Sequence, residues 1–173
     1  IDGTVEYIAY EKVHETVRAG DLVIARCTAP VVKLCIELIQ RRISARVRGK
    51  DIGKSLTAIV KDVAKMPNYT WANFGKCLEE YRNTRIYKLL QKKGGEAQAE
   101  SLRDRIQGIW VCYTSFNARS IEQLCLEIED LFSDNRAAVV LSTVHRAKGL
   151  QENRVFILRP DQMPLSWKGQ LDW

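Results

Sequence analysis

Apolar positions change their period several times along the chain. Leu22-Val23-Ile24-Ala25, directly after a Gly20-Asp21 turn, is a short continuous apolar run of the kind found in strands of a buried parallel sheet. Behind it Val31, Leu34, Cys35, Leu38 and Ile39 recur at helical spacing, from Pro30, which suits a first helical position, to Arg41-Arg42. Ile43, Ala45 and Val47 then alternate with polar residues, the signature of another strand. Strand, helix and strand in that order form a βαβ unit, so the pattern predicts an α/β fold with a parallel sheet.

From Gly53 the period is helical for a long stretch. Leu56, Ile59, Val60 and Val63 make one face, which Pro67-Asn68 ends. Further helices are predicted from Thr70 through Trp71, Phe74, Leu78 and Tyr81, from Ile86 to Leu90 with a stop near Gly94-Gly95, and over Leu102, Ile106, Ile109 and Trp110. The last begins at Ser120, where Gln123 suggests a capping box ahead of Ile121, Leu124, Cys125, Ile128 and Phe132. Strand patterning returns only with Ala138-Val139-Val140-Leu141 and Val155-Phe156-Ile157-Leu158. The expected division is therefore 1–65 for the first part of a sheet domain, 66–134 for an all-helical insertion, and 135–173 for the remainder of the sheet domain. Helical stripes such as Trp71, Phe74 and Leu102 are read as core.

Composition narrows the partners. The 173 residues suffice for one compact domain or for a domain with a smaller inserted part. Lys plus Arg outnumber Asp plus Glu by 27 to 21, a formal +6 that favours a polyanion such as nucleic acid. The five cysteines include no C-x-x-C pair and are odd in number, which suggests neither a disulfide framework nor a zinc site. Cys35 and Cys125 fall on apolar helical stripes, where cysteine acts as a small hydrophobe, and a reducing, cytoplasmic setting is expected. No segment has the length or apolarity of a membrane span or a signal peptide, so no membrane partner is expected. The chain opens at Ile1 without methionine and stops at Leu171-Asp172-Trp173, as an excised part of a longer protein would.

Two stretches carry candidate chemistry. Gly49-Lys50-Asp51-Ile52-Gly53-Lys54-Ser55 ends like a phosphate-binding P-loop, but the required glycine five positions before Gly53 is replaced by Arg48. A strand-to-helix turn with Gly53 near the helix start is expected instead, its cations Arg46, Arg48, Lys50 and Lys54 free to face a polyanion. Leu141 to Gln151 differs in kind. Thr143 and His145 follow directly from an apolar strand, and open parallel sheets bind ligands beyond the carboxyl ends of their strands. Thr143 can donate to a phosphate oxygen, His145 can donate or stack, Lys148 is a compact charge, and Gly149 lets backbone approach a ligand.

Ser142-Thr143-Val144-His145-Arg146-Ala147-Lys148-Gly149-Leu150, followed by Arg154-Val155-Phe156-Ile157, resembles motif V of the UvrD/Rep-like superfamily 1 DNA helicases, of pattern T-x-H-x-x-K-G before an apolar strand. Gly20 to Arg26 with Ala29-Pro30 resembles the strand and helix that open the second RecA-like domain of that family, and Arg46 to Gly53 its next glycine-bearing turn. The resemblance covers both ends of the chain. It implies a RecA-like parallel sheet flanked by helices, with 66–134 as a reduced helical subdomain. It further implies that Thr143 and His145 contact the backbone of single-stranded DNA, with Arg26, Thr28 and Lys50 as further nucleic-acid contacts. Lys148 and Gly149 would line a cleft for ATP between two RecA-like domains. Where the family usually has a glutamate for the ribose, this chain has Gln151, which can hydrogen-bond a hydroxyl without bringing charge.

The implied cofactor is ATP with magnesium, and the implied partners are DNA and an N-terminal RecA-like domain of the same polypeptide. The chain holds no P-loop, no Asp-Glu pair for magnesium and no arginine motif of V-A-x-T-R type, so most ATP and magnesium ligands are expected on that partner domain and the chain alone is not expected to hydrolyse ATP. Two alternatives compete: a non-catalytic nucleic-acid-binding or regulatory α/β module, and a small α/β protein-interaction domain whose cations are a solvated face.

Overall fold

A computed structural model describes residues 3–133 and 137–163, and the backbone of 165–167 and 170–172. Its centre is a four-stranded, all-parallel sheet of β1 (Leu22–Ala25), β2 (Ala45–Val47), β3 (Val139–Thr143) and β4 (Val155–Leu158), in the order β2-β3-β1-β4. All four strands fall where the apolar runs put them. Register aligns Val23 with Leu141 and Phe156, and Val47 with Leu141, so one face carries Val23, Ala25, Val139, Leu141, Ala45, Val47 and Leu158, all buried. The opposite face is more open: Leu22 and Ser142 are buried, whereas Val155 and Ile157 on the β4 edge are 46% and 53% exposed.

The buried face is covered by α2 (Thr28–Gln40), which touches β1, β2 and β3. Its buried set includes Val32 and Ile36 besides Val31, Leu34, Cys35 and Leu38, while Ile39, expected on the stripe, is 39% exposed. A helix apolar on more than one side must be covered on more than one side. The second cover is α5 (Glu96–Ser115), which lies along α2 and also packs on α4 (Phe74–Leu90). α3 (Lys50–Ala64) meets α4, α5 and α6 (Ile121–Leu131). Between β2 and β3 the described residues form helices and no strand, and these helices share one apolar core with the sheet and α2.

Several details depart from the pattern. A short α1 (Tyr10–Thr16), burying Val13, precedes the sheet. The two helices expected around Tyr81 and Ile86 are one, because Arg82-Asn83-Thr84-Arg85 is polar but contains neither glycine nor proline to stop it. A 3₁₀ turn at Trp71–Asn73, capped reciprocally by Thr70 and Asn73, leads into that helix. At α6, Ser120 Oγ accepts from the Gln123 amide at 3.2 Å, while the returning arm of the box runs to Arg119 N at 3.0 Å rather than to the capping residue itself. After β3 come α7 (Val144–Ala147), β4, and an antiparallel pair, β5 (Leu165–Trp167) and β6 (Gln170–Asp172).

The P-loop-like glycine has a packing role. Gly53 lies within the first turns of α3, where a Cβ would fall 2.7 Å from Phe132 Cβ at the end of α6. Phe132 is 1% exposed and among the largest fully buried side chains. Gly53→Ala should therefore destabilise the fold, since overpacking costs about 1–3 kcal/mol against a helix-propensity gain of about 1 kcal/mol. In a Phe132→Gly background, which removes that Cβ and costs at least the about 3–5 kcal/mol of a Phe→Ala truncation, the same glycine substitution should become neutral or stabilising. Denaturant melts of the four proteins check this; equal effects of Gly53→Ala in both backgrounds would refute the contact as the cause.

Candidate functional site

At the carboxyl edge of the sheet each strand gives way to a cation. Arg26 follows β1, Arg48 follows β2, and Arg159 follows β4, while β3 leads through Val144 into His145 and Arg146 of α7. The β2 turn is built from its backbone. The Arg48 amide donates to the Leu141 carbonyl at 2.7 Å, extending the pairing with β3 by one residue. Gly49 then reverses the chain at φ 127°, a conformation that L side chains rarely adopt, and serves as the N-cap of α3.

These elements enclose a cleft of about 480 Å³ lined by Arg48, Gly49, Lys50, Asp51, Lys54 and Arg146. Four cations face a single carboxylate there, and Arg146 pairs with it across the gap between α7 and α3. The pair is half exposed on both sides, so water screens it and its contribution to stability is small, about 0–1 kcal/mol. Arg46, grouped with these cations by sequence, lies elsewhere: its guanidinium is 3.6 Å from Asp130 of α6.

The expected site residues are thus sorted by depth. Lys50 lines the cleft, and His145 is exposed on α7 beside Arg146. Thr143 is the last residue of β3 and only 7% exposed, its side chain turned to the covered face, while the neighbouring Ser142 hydroxyl donates to the Thr143 carbonyl at 3.1 Å. Lys148, Gly149 and Gln151 are exposed past the end of α7, outside the lining of the cleft. Gly149 has φ 84° with open space where a Cβ would be, so backbone conformation is what requires glycine there.

The end of β1 is closed by the chain itself. Thr28, 3% exposed at the first turn of α2, donates its amide to Asp104 Oδ1 of α5 at 2.8 Å. Gly108, one helical turn further along α5, has room for no side chain larger than hydrogen without crowding Thr28 Cγ2, which would lie 3.2 Å from a Cβ. Asp104 thus caps the positive end of α2 from 76 residues away. Burial pushes its carboxyl pKa above the ordinary carboxylate value, opposed by hydrogen bonds from Thr28 and Ala29 and by the half-buried Arg26.

A second cleft, of about 500 Å³, opens between α1, the start of α2, α5 and the turn after β4, with Tyr10, Cys27, Lys33, Arg159 and Gln162 among its lining. Arg159 there holds Asp161 at 2.8 Å. All five cysteines are free; burial pushes Cys35 and Cys112 up to about 12, and raises Cys27. Among the described residues no group of three His, Cys, Asp or Glu side chains is disposed to hold a metal ion, and no helix is long and apolar enough to cross a membrane. Sequence reasoning missed Asp104 and Arg159 altogether. Arg159 was signalled only by its place after an apolar strand, and nothing local marks Asp104. No family model, curated protein or solved structure matches the chain.

Removing the cap should separate its two effects. Asp104→Ala loses the acceptor and should cost about 0.5–2 kcal/mol, whereas Asp104→Asn keeps an acceptor and sheds the buried charge, so it should cost less. Because the folded carboxyl pKa is raised, the wild-type contribution of this group is fully present below the unfolded carboxylate pKa and is lost as pH rises through the folded one. Thermal melts across acid pH should show that slope in the wild type and not in Asp104→Asn; an unchanged slope would remove Asp104 as its source.

Proposed function

We propose that the chain is the second RecA-like domain of an ATP-dependent DNA helicase or translocase resembling the UvrD/Rep-like superfamily 1 enzymes, binding single-stranded DNA at its sheet edge and forming one wall of an interdomain ATP site. One observation carries this reading: the motif V turn and the β2–α3 turn, nearly a hundred residues apart in sequence, lie side by side beyond the carboxyl ends of a parallel sheet and surround one cationic cleft.

Within that cleft Lys50, Lys54, Arg48 and Arg146 neutralise backbone phosphates, and the Arg146–Asp51 pair opens at small cost to let Arg146 join them. His145 adds a ring that donates to a phosphate or stacks on a base. Thr143 acts through its backbone, holding the start of α7 in place while its side chain stays in the core. The donors present fit one wall of a nucleotide site: the exposed Lys148 ammonium for a phosphate, Gln151 for a ribose hydroxyl, and the Gly149 backbone beside them. The magnesium ligands are assigned, as the resemblance implies, to the partner RecA-like domain. ATP bound between the two domains would supply, on hydrolysis, the energy for opening and closing them. This chain's part is to hold the DNA strand on one side of α7 and meet the nucleotide on the other, so that occupancy of one is felt by the other.

Anisotropy of a labelled oligo-thymidine titrated with the chain at several salt concentrations tests the reading. Affinity should fall with salt at a log-log slope of about −0.7 per phosphate contact. Lys50→Gln should weaken binding several-fold and flatten the slope by about one contact, and His145→Ala should weaken it with little change in slope. Wild-type affinity and slope in both variants would sink it.

A further inference from the structure

The positive charge of the chain is unevenly placed. Residues 82–93, Arg-Asn-Thr-Arg-Ile-Tyr-Lys-Leu-Leu-Gln-Lys-Lys, hold five of the 27 lysines and arginines and none of the 21 acids, and no acidic residue occurs between Glu80 and Glu96. Most of the formal +6 is therefore concentrated in the last turns of α4 and the turn that follows. Arg82, Arg85 and Lys88 recur every third residue along one side of the helix, about 4.5 Å apart in rise, and Lys92 and Lys93 continue beyond its end. Arg85, Lys88, Lys92 and Lys93 are exposed. This half of α4 is also the half that its own fold uses least, since the buried residues of the helix are Phe74, Cys77 and Leu78 at its start.

Two ordinary explanations fall short. Cations at a helix C-terminus are favoured by the dipole, but that field decays within the last turn, and Arg82 and Arg85 lie before it. A solvated face mixes charges of both signs, and this one does not. An aromatic side chain is exposed on the adjoining side of the helix. Tyr87 is 68% exposed, next to Lys88, with Leu90 45% exposed one turn on. Arg85 also carries its guanidinium 5.2 Å from the centroid of the Tyr81 ring, a planar cation on an aromatic support.

We propose that the end of α4, through Arg85, Tyr87, Lys88 and Lys92, is a second docking surface for single-stranded nucleic acid, separate from the sheet-edge cleft. Cations spaced along a helix follow a phosphate backbone, and the exposed Tyr87 ring, about 100° round the helix from Lys88, supplies the stacking platform that an unpaired base accepts and a paired one does not. A lipid surface fits less well: Ile86 and Leu89 are half-buried in the chain's own fold, which leaves no continuous apolar face to enter a bilayer. The choice of nucleic acid over an acidic protein segment rests on the function proposed above.

The test uses the chain with labelled oligo-thymidine and a blunt duplex of equal length. Arg85→Gln/Lys88→Gln/Lys92→Gln should weaken oligo-thymidine binding at least tenfold and flatten the log-log salt slope by about two, three contacts at about −0.7 each. Tyr87→Ala should weaken the single strand about tenfold and leave duplex binding within twofold. Unchanged oligo-thymidine affinity in both variants overturns the proposal, as does equal loss on the duplex for Tyr87→Ala, or wild-type binding to anionic phospholipid vesicles or to a poly-glutamate peptide with none to oligo-thymidine. Should Lys50→Gln and His145→Ala weaken binding while the α4 variants do not, this surface alone fails; the reverse result removes the sheet-edge cleft and keeps the α4 surface.

Discussion

The structure depends on α2 being buried from two sides. Its residues Val31, Val32, Leu34, Cys35 and Leu38 are at or below 1% exposure, so the sheet covers only part of what must be hidden from water. At roughly 25 cal/mol per Å² of apolar surface, leaving a second face open would forfeit about 1.5–3 kcal/mol for each large side chain on it. α5 closes that face. Because α5 belongs to the long helical stretch between β2 and β3, the stretch is drawn into the same core as the sheet, and α3, α4 and α6 follow by packing on one another.

That constraint also sets what could be read from the sequence. The strands were legible because runs such as Val155-Phe156-Ile157-Leu158 are too short and too apolar for a surface helix, and the helix spanning Thr28–Gln40 was legible from its period. A single stripe, however, predicts one buried side; Val32 and Ile36 lie off that stripe and are buried too, in a helix that the sheet and α5 both cover, while Ile39 on the stripe is exposed. The continuity of α4 was hidden because its apolar period fades at Arg82-Asn83-Thr84-Arg85, where the helix leaves the core and is carried by backbone hydrogen bonds and propensity. At the site, the residue types of 141–151 announced themselves. Asp104 did not, because a cap supplied from 76 residues away is a property of packing and not of local order.

The starts of α2 and α3, both at the carboxyl edge, are treated differently, and the difference decides which of them can exchange its carboxylate for another anion. The start of α2 already has its anion: the half-buried Asp104 carboxylate accepts from the Thr28 amide, and an incoming anion would have to displace it. Breaking such a partly buried charged hydrogen bond costs about 1.5–3 kcal/mol. The start of α3 carries Asp51, but that carboxylate is 59% exposed and its pair with Arg146 is screened, so exchange for a phosphate costs little, about 0–1 kcal/mol. Of these two helix starts, that of α2 is therefore held by a carboxylate of α5, and that of α3 carries an exchangeable one. At the start of α3 the cations of two distant turns converge on one cleft, and the only carboxylate among them is the one that water already screens.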